Sequence, residues 1–348
     1  MAELEAAAVP YTGSHFRSFA SNSSQLSNGR AIILLLRIGV FFGLLASSLV
    51  AANADHSDHT SQPMPVGKVY YPAGPSRRAP GILVIGGAEG GRAWAEAAAT
   101  LLADDGYVAL AEAYFNAPGL PLRLQLIPLE RFRAGIDQLA SDPRVDGRHI
   151  AVLGFSKGAE AALLIASRDP RIKAVVAGSP TDIIWQGIDR QTGSVVSSWT
   201  SAGIPLPFDP FASCAECKSL ADLYSKSRDS AGSEGQAIIP VETVNGPVLM
   251  TASDRDGIWP SLMMADAIAE RLVKKRFRYK VQTLRYPDGG HFTLGPLAPA
   301  DADGDASFGG GTPKGVIAAR RDSWPRVLSF LGHALRRAEP KAHQTKAR

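Results

Sequence analysis

The chain has 348 residues, 45% of them hydrophobic and 20% charged, the composition of a globular protein with one well-filled core. Its net charge of +4 is mild, and no aromatic-interleaved basic stripe accompanies it, which argues against nucleic acid as a partner. With the two chain ends set aside, the remaining length of about 270 residues suits one α/β domain.

The N-terminus reads as a targeting segment. Arg30 and Arg37 precede the apolar run from Ile38 to Val50, and Ala52-Asn53-Ala54 puts small residues at the two positions a signal peptidase reads. Residues 1–54 are therefore expected to be a leader with a signal peptide that exports the protein to the periplasm or medium. The run after Arg37 is too short to cross a bilayer. Counted from Ala31 it reaches if Arg37 snorkels, so an uncleaved membrane anchor is the alternative. Residues 55–66 read as a flexible linker, 67–338 as the folded domain, and 339–348 as a basic disordered tail.

Within the domain a strand pattern runs from Gly67 to Tyr71, and a second from Ile82 to Ile85 enters Gly86-Gly87-Ala88-Glu89-Gly90-Gly91. That loop lacks the Lys-Ser/Thr ending of a P-loop and the spacing of the dinucleotide fingerprint, so no nucleotide is expected there. A helix from Trp94 to Asp104, a strand from Val108 to Ala111 and a helix from Leu129 to Ser141 follow. The strand at Ile150 to Leu153 then meets Gly154-Phe155-Ser156-Lys157-Gly158 and a small-residue helix from Ala159 to Ser167. Strand, sharp turn and helix around Gly-x-Ser-x-Gly form a nucleophile elbow, in which glycines flank a serine held in a strained conformation.

A strand from Ala174 to Ala177 precedes a Ser-, Gly- and Pro-rich insertion, about 183–239, that carries Trp185, Trp199, Phe208, Phe211 and Tyr224. It stands where a lid or substrate pocket would sit. Trp185, with Trp259 further on, is a candidate to line that pocket, and a satellite core beneath a long loop is the other reading. Cys214 and Cys217 are the chain's two cysteines. An oxidising compartment could close them as a short-loop disulfide, whereas a zinc site would find only Glu216 and Asp222 nearby. No cofactor and no metal are expected.

A strand from Val248 to Ala252 leads into Ser253-Asp254-Arg255-Asp256-Gly257, where two acids compete. A helix from Ser261 to Lys275 and a strand from Tyr279 to Leu284 lead to Pro287-Asp288-Gly289-Gly290-His291. A serine hydroxyl needs an imidazole to take its proton and a carboxylate to orient that imidazole, and in α/β-hydrolases these follow in the order Ser, acid, His. Chain order selects Ser156, Asp256 and His291, with Asp254 as a loop residue. His15, His56, His59, His149, His333 and His343 fall at chain ends, at a strand start or on a terminal helix. The backbone amides of Lys157 and of Ala88 are expected to form the oxyanion hole. Asp301 to Asp305 reads as a solvated loop, since its glycine comes too early for a calcium loop, and a helix from Trp324 to Arg336 ends the domain. The alternation predicts an α/β-hydrolase fold, a doubly wound, mostly parallel sheet with a lid-like insertion.

From about Gly81 to Leu335 the chain resembles the catalytic domain of the acyl-CoA thioesterase and bile acid-CoA:amino acid N-acyltransferase family, a relative of the dienelactone hydrolases. The resemblance rests on Ala111-Glu112-Ala113-Tyr114-Phe115-Asn116, the elbow extended through Ala159-Glu160, Lys173 to Pro180, Asp256-Gly257-Ile258-Trp259-Pro260-Ser261 and Gly290-His291. It implies a triad at Ser156, Asp256 and His291. It also implies hydrolysis of a carboxylic thioester or ester, because the family's thioesterases resemble this chain in having serine at the elbow and its transferases have cysteine. The other readings are a dienelactone hydrolase-type carboxylesterase, an acyltransferase, or a catalytically silent exported binding protein. Two features depart from the family: the space between the expected signal segment and the first hydrolase strand is too short for its N-terminal β-sandwich, and Glu89 puts an acid where a small residue is expected. Export also sits awkwardly with coenzyme A thioesters, which are cytosolic, and so points to another ester or thioester if the signal acts.

Overall fold

The computed structural model describes residues 67–74, 78–189, 193–231, 235–295 and 302–335. The expected leader at 1–54, linker at 55–66 and tail at 339–348 lie outside the described residues. The strands are β1 (Gly67–Tyr70), β2 (Ala79–Ile85), β3 (Val108–Glu112), β4 (Ile127–Pro128), β5 (Val145–Phe155), β6 (Ile172–Gly178), β7 (Trp199–Ser201), β8 (Ile204–Pro205), β9 (Val248–Ala252) and β10 (Val281–Arg285). The helices are α1 (Ala93–Asp104), α2 (Leu129–Ser141), α3 (Lys157–Ala166), α4 (Leu220–Ala231), α5 (Ser261–Lys274), α6 (Ala302–Gly309) and α7 (Pro313–Leu335).

Seven strands form one sheet in the order β1-β3-β2-β5-β6-β9-β10, parallel throughout except for β1, which pairs antiparallel with β3. A parallel sheet is covered on both faces, so its strands carry continuous apolar runs. Ile82 to Ile85, Val108 to Ala111, Ile150 to Leu153, Ala174 to Ala177 and Val248 to Met250 are all buried. The chain leaves β2 toward β3 on one side and comes back as β5 on the other. Strand order therefore reverses at β2 and β5, whose carboxyl ends open the crevice in which such sheets bind ligands.

Where structure exceeds expectation, the cause is tertiary. Asp301 to Asp305 was expected as a solvated loop, but Ala302–Gly309 is helical. Arg320 of α7 donates to Asp305 Oδ2 at 2.5 Å and draws this acidic segment against its neighbour. The last helix starts at Pro313 instead of Trp324 and runs through Pro325. The insertion is more ordered than a loop: it holds α4, and its β7 joins β4 and β8 in a three-stranded sheet. Strands of two or three residues are too short to show an alternating pattern in sequence.

Candidate active site

The elbow is shaped by close backbone packing. Ser156 has φ 55° and ψ −122°, a conformation that L-residues seldom adopt, and it caps the start of α3. A Cβ on Gly154 would sit 2.1 Å from the Gly158 carbonyl oxygen, and one on Gly158 would sit 2.3 Å from that of Gly86. Glycine is thus required on both sides of the serine, because β5, α3 and the end of β2 touch through bare backbone. The Ser156 amide donates to Gly178 O at 2.9 Å, which ties the turn to β6.

The three residues selected by chain order meet here. His291 Nε2 lies 2.9 Å from Ser156 Oγ, and its Nδ1 lies 2.8 and 2.9 Å from the two oxygens of Asp256. The carboxylate can only accept, so the proton of the neutral ring belongs on Nδ1, leaving Nε2 to receive the serine proton. The amides of Ile258 and Trp259 donate to Asp256 Oδ1 at 2.9 and 3.2 Å and hold the carboxylate in place. Asp254 stays on the surface of the same loop. The imidazole is enclosed by Phe155, Trp259 and Phe292, with ring centroids 5.3, 5.5 and 5.5 Å away, and all three triad residues are buried.

Two loops must be held together for Asp256 to face His291, and the brace comes from a glycine run with no evident role in sequence. Gly309 O accepts the amides of Gly257 (2.7 Å) and His291 (2.8 Å), bridging acid loop and histidine loop. Gly290, at φ +61°, must lack a side chain because its Cβ would fall 2.0 Å from Gly310 O. Ser179 Oγ anchors the far side by donating to His291 O at 2.5 Å.

Lys157 is the first residue of α3, so its amide stands at the positive end of that helix. Its side chain was not part of the expectation. It is buried with Glu160, and Nζ donates to Glu160 Oε2 (2.6 Å) and Ser198 Oγ (2.8 Å). Glu160 Oε1 also accepts Trp199 Nε1 (2.6 Å) and the Trp185 amide (3.2 Å), both from the insertion. Burial pushes the Lys157 ammonium down and the Glu160 carboxyl up, and their mutual attraction opposes both shifts. Trp185 itself is fully buried among Ile183, Tyr224, Trp259 and Met264, and its indole N–H reaches Thr181 Oγ1. Trp259 packs in that cluster too and donates to Ser179 O at 3.2 Å, so it joins the insertion's small core to the histidine.

Ala88 lies in the loop after β2, and a Cβ on the adjacent Gly87 would come 3.0 Å from Ser156 Cβ. Glu89 does not simply face solvent. Its Oε1 accepts the Gly87 amide at 2.9 Å, and burial raises its pKa, with Gly87 and the nearby His291 acting in the opposite direction.

The family profile described as BAAT / Acyl-CoA thioester hydrolase C terminal matches residues 127–337. The peroxisomal succinyl-coenzyme A thioesterase of Mus musculus is 27% identical over 263 residues, 74% of this chain and 60% of its own length. Acyl-coenzyme A thioesterase 6 of Homo sapiens is 30% identical over 262 residues, 72% of this chain and 59% of its own. The chain thus spans about three fifths of these curated relatives. Among solved structures, m3DLH is similar with TM-score 0.51 and 18% identity, covering 78% of this chain and 92% of its own, a likeness of fold. A putative dienelactone hydrolase from Klebsiella pneumoniae has TM-score 0.47 at 17% identity, covering 76% and 91%. From the match over residues 127–337, the chain belongs to the BAAT / acyl-CoA thioester hydrolase C-terminal family.

Proposed function

We propose that the protein is a serine hydrolase that cleaves carboxylic thioesters, or the matching esters, through a Ser156-His291-Asp256 triad and an acyl-enzyme. The observation that carries this reading is the unbroken hydrogen-bond line from Ser156 Oγ through the imidazole to Asp256. Ser156 Oγ attacks the acyl carbon while Nε2 takes its proton. Collapse of the tetrahedral intermediate expels the thiolate or alkoxide, which leaves with that proton. Water, deprotonated by the same nitrogen, then attacks the acyl-serine and releases the acid. The developing oxyanion is received by the amides of Lys157 and Ala88. Thioesters are favoured over other acyl donors by membership of a family whose matched relatives are named as coenzyme A thioesterases. Export by the segment around Ile38 to Val50 is part of the same proposal. A disulfide between Cys214 and Cys217 agrees with an oxidising compartment.

A fluorophosphonate probe tests the nucleophile, and matched p-nitrophenyl ester and acyl thioester pairs of graded chain length test the substrate class. Labelling should fall on Ser156, and Ser156→Ala should lower turnover by about a thousandfold or more with an unchanged circular dichroism spectrum. A folded wild-type protein that neither labels nor hydrolyses any pair would reject the proposal.

A further inference from the structure

The loop from Gly86 to Gly91 has to present one particular amide to the reacting carbonyl, yet four of its six residues are glycines, which resist being fixed. The residues just after β3 hold it. Tyr114 Oη lies 2.9 Å from Gly87 O and 3.1 Å from Gly86 O, so its single proton is shared between two consecutive carbonyls. Its ring is wedged against Phe115, Phe132 and Trp199, with centroids 5.1, 5.5 and 5.7 Å away, so core packing fixes where the hydroxyl stands. Burial, reinforced by the charges of Glu89 and Glu160, raises the Tyr114 pKa well above the ordinary value, and the hydroxyl remains a donor. Further along, the Gly91 amide donates to Phe115 O at 3.1 Å, and Asn116 Nδ2 to Glu89 O at 3.4 Å.

A trans peptide is planar, with its carbonyl and N–H pointing in opposite directions. Gripping the Gly87 carbonyl therefore aims the Ala88 N–H directly away from Tyr114. The preceding peptide is held at both ends, its carbonyl by Tyr114 and its N–H, that of Gly87, by Glu89 Oε1 at 2.9 Å. The Glu89 carboxyl is folded closely over this backbone: a Cβ on Gly86 or on Gly87 would lie 2.7 Å from one of its oxygens. Glu89 thus occupies the amide that would otherwise compete with Ala88 for a developing negative charge.

We propose that Tyr114 and Glu89 are positioning residues that fix the two peptide planes of Gly86 to Ala88 and thereby select the Ala88 amide as the second oxyanion donor. The proposal rests on the serine-hydrolase reading above and extends it to residues that do not touch substrate.

Tyr114→Phe, Glu89→Gln and Glu89→Ala, each in the full chain, test it with p-nitrophenyl acetate as the probe substrate. Losing an oxyanion donor outright costs about a hundredfold to a thousandfold in kcat. Tyr114→Phe, which leaves the ring in the core, should lower kcat about tenfold or more with KM within about twofold. Glu89→Ala should act likewise, and Glu89→Gln, which still offers an acceptor to Gly87, should recover most of that loss. Amide hydrogen exchange gives a readout independent of turnover: Gly87 and Ala88 should exchange faster in Tyr114→Phe and Glu89→Ala than in wild type. Unchanged exchange at these amides in both variants overturns the proposal whether or not the protein proves to be a hydrolase. So does a Glu89→Gln variant as impaired as Glu89→Ala, which would assign the effect to charge. Ser156→Ala with undiminished turnover, beside faster exchange in Tyr114→Phe, would reject the hydrolase reading alone.

Discussion

Glu112 at the end of β3 shows how a single buried group can set pH behaviour. Both of its carboxyl oxygens are buried, and neither has a hydrogen bond among the described residues. Arg131 Nε lies 3.2 Å away but gives its hydrogen bond to Ala113 O, and Gly135 of α2 leaves the space the carboxyl fills. Burial raises the Glu112 pKa well above its ordinary value, with Arg131 opposing the shift. The folded protein therefore holds a proton that the unfolded chain releases at lower pH. Stability should fall as pH rises from the ordinary carboxylate range through the raised folded value. Glu112→Gln removes that dependence, so its melting temperature should gain on wild type between pH 5 and pH 8. The gain should be about 2–4 °C or more, the equivalent of about 1 kcal/mol in a domain of this size; equal shifts at both pH values would refute the assignment. Nothing in Ala111-Glu112-Ala113 as a string announces this, because an isolated acid beside apolar residues reads equally well as a strand end.

Helix α3 is the element on which the site turns. On the proposed mechanism its first residue supplies an oxyanion amide, and its first turn anchors the insertion through Lys157 and Glu160, which bind Ser198, Trp199 and the Trp185 amide. A buried ion pair is weak evidence for stability by itself, but removing one partner strands the other charge without water. Glu160→Ala leaves the Trp199 indole N–H and the Trp185 amide without their acceptor, and the Lys157 ammonium with only the Ser198 hydroxyl and no counter-charge. It should cost about 3–5 kcal/mol in denaturant unfolding, with the fluorescence change of the insertion's tryptophans preceding loss of helix signal. Loss below about 1 kcal/mol would mean that water or a shifted side chain replaces the carboxylate. Small residues along Ala159 to Ala166 made this helix legible in sequence, whereas the insertion partners of its paired charges lie 25 to 41 residues away and were not.

At the scale of the molecule, the described seven-stranded sheet, the helices against it and the satellite core of the insertion run from Gly67 to Leu335. A chain lacking residues 1–64 should therefore unfold in one cooperative step, with a melting temperature within about 5 °C of the full chain. A larger drop in melting temperature, or an insoluble product, would show that the first 64 residues contribute to the fold, and two separate transitions would show that the insertion unfolds apart from the sheet. The sequence alone determined the order and type of the principal sheet elements, since parallel strands must be apolar throughout and glycine must flank an elbow serine. It also narrowed the candidate site to Ser156, Asp256 ahead of Asp254, and His291, because a strand's carboxyl end is the only place such loops can converge. Tertiary structure decided the rest. Gly309 joins the loops of Asp256 and His291, and Tyr114 and Glu89 grip the Gly86 to Ala88 backbone. These contacts join residues distant in the chain through hydrogen bonds that no periodicity encodes, and their geometry exists only once the sheet has brought the loops to one edge.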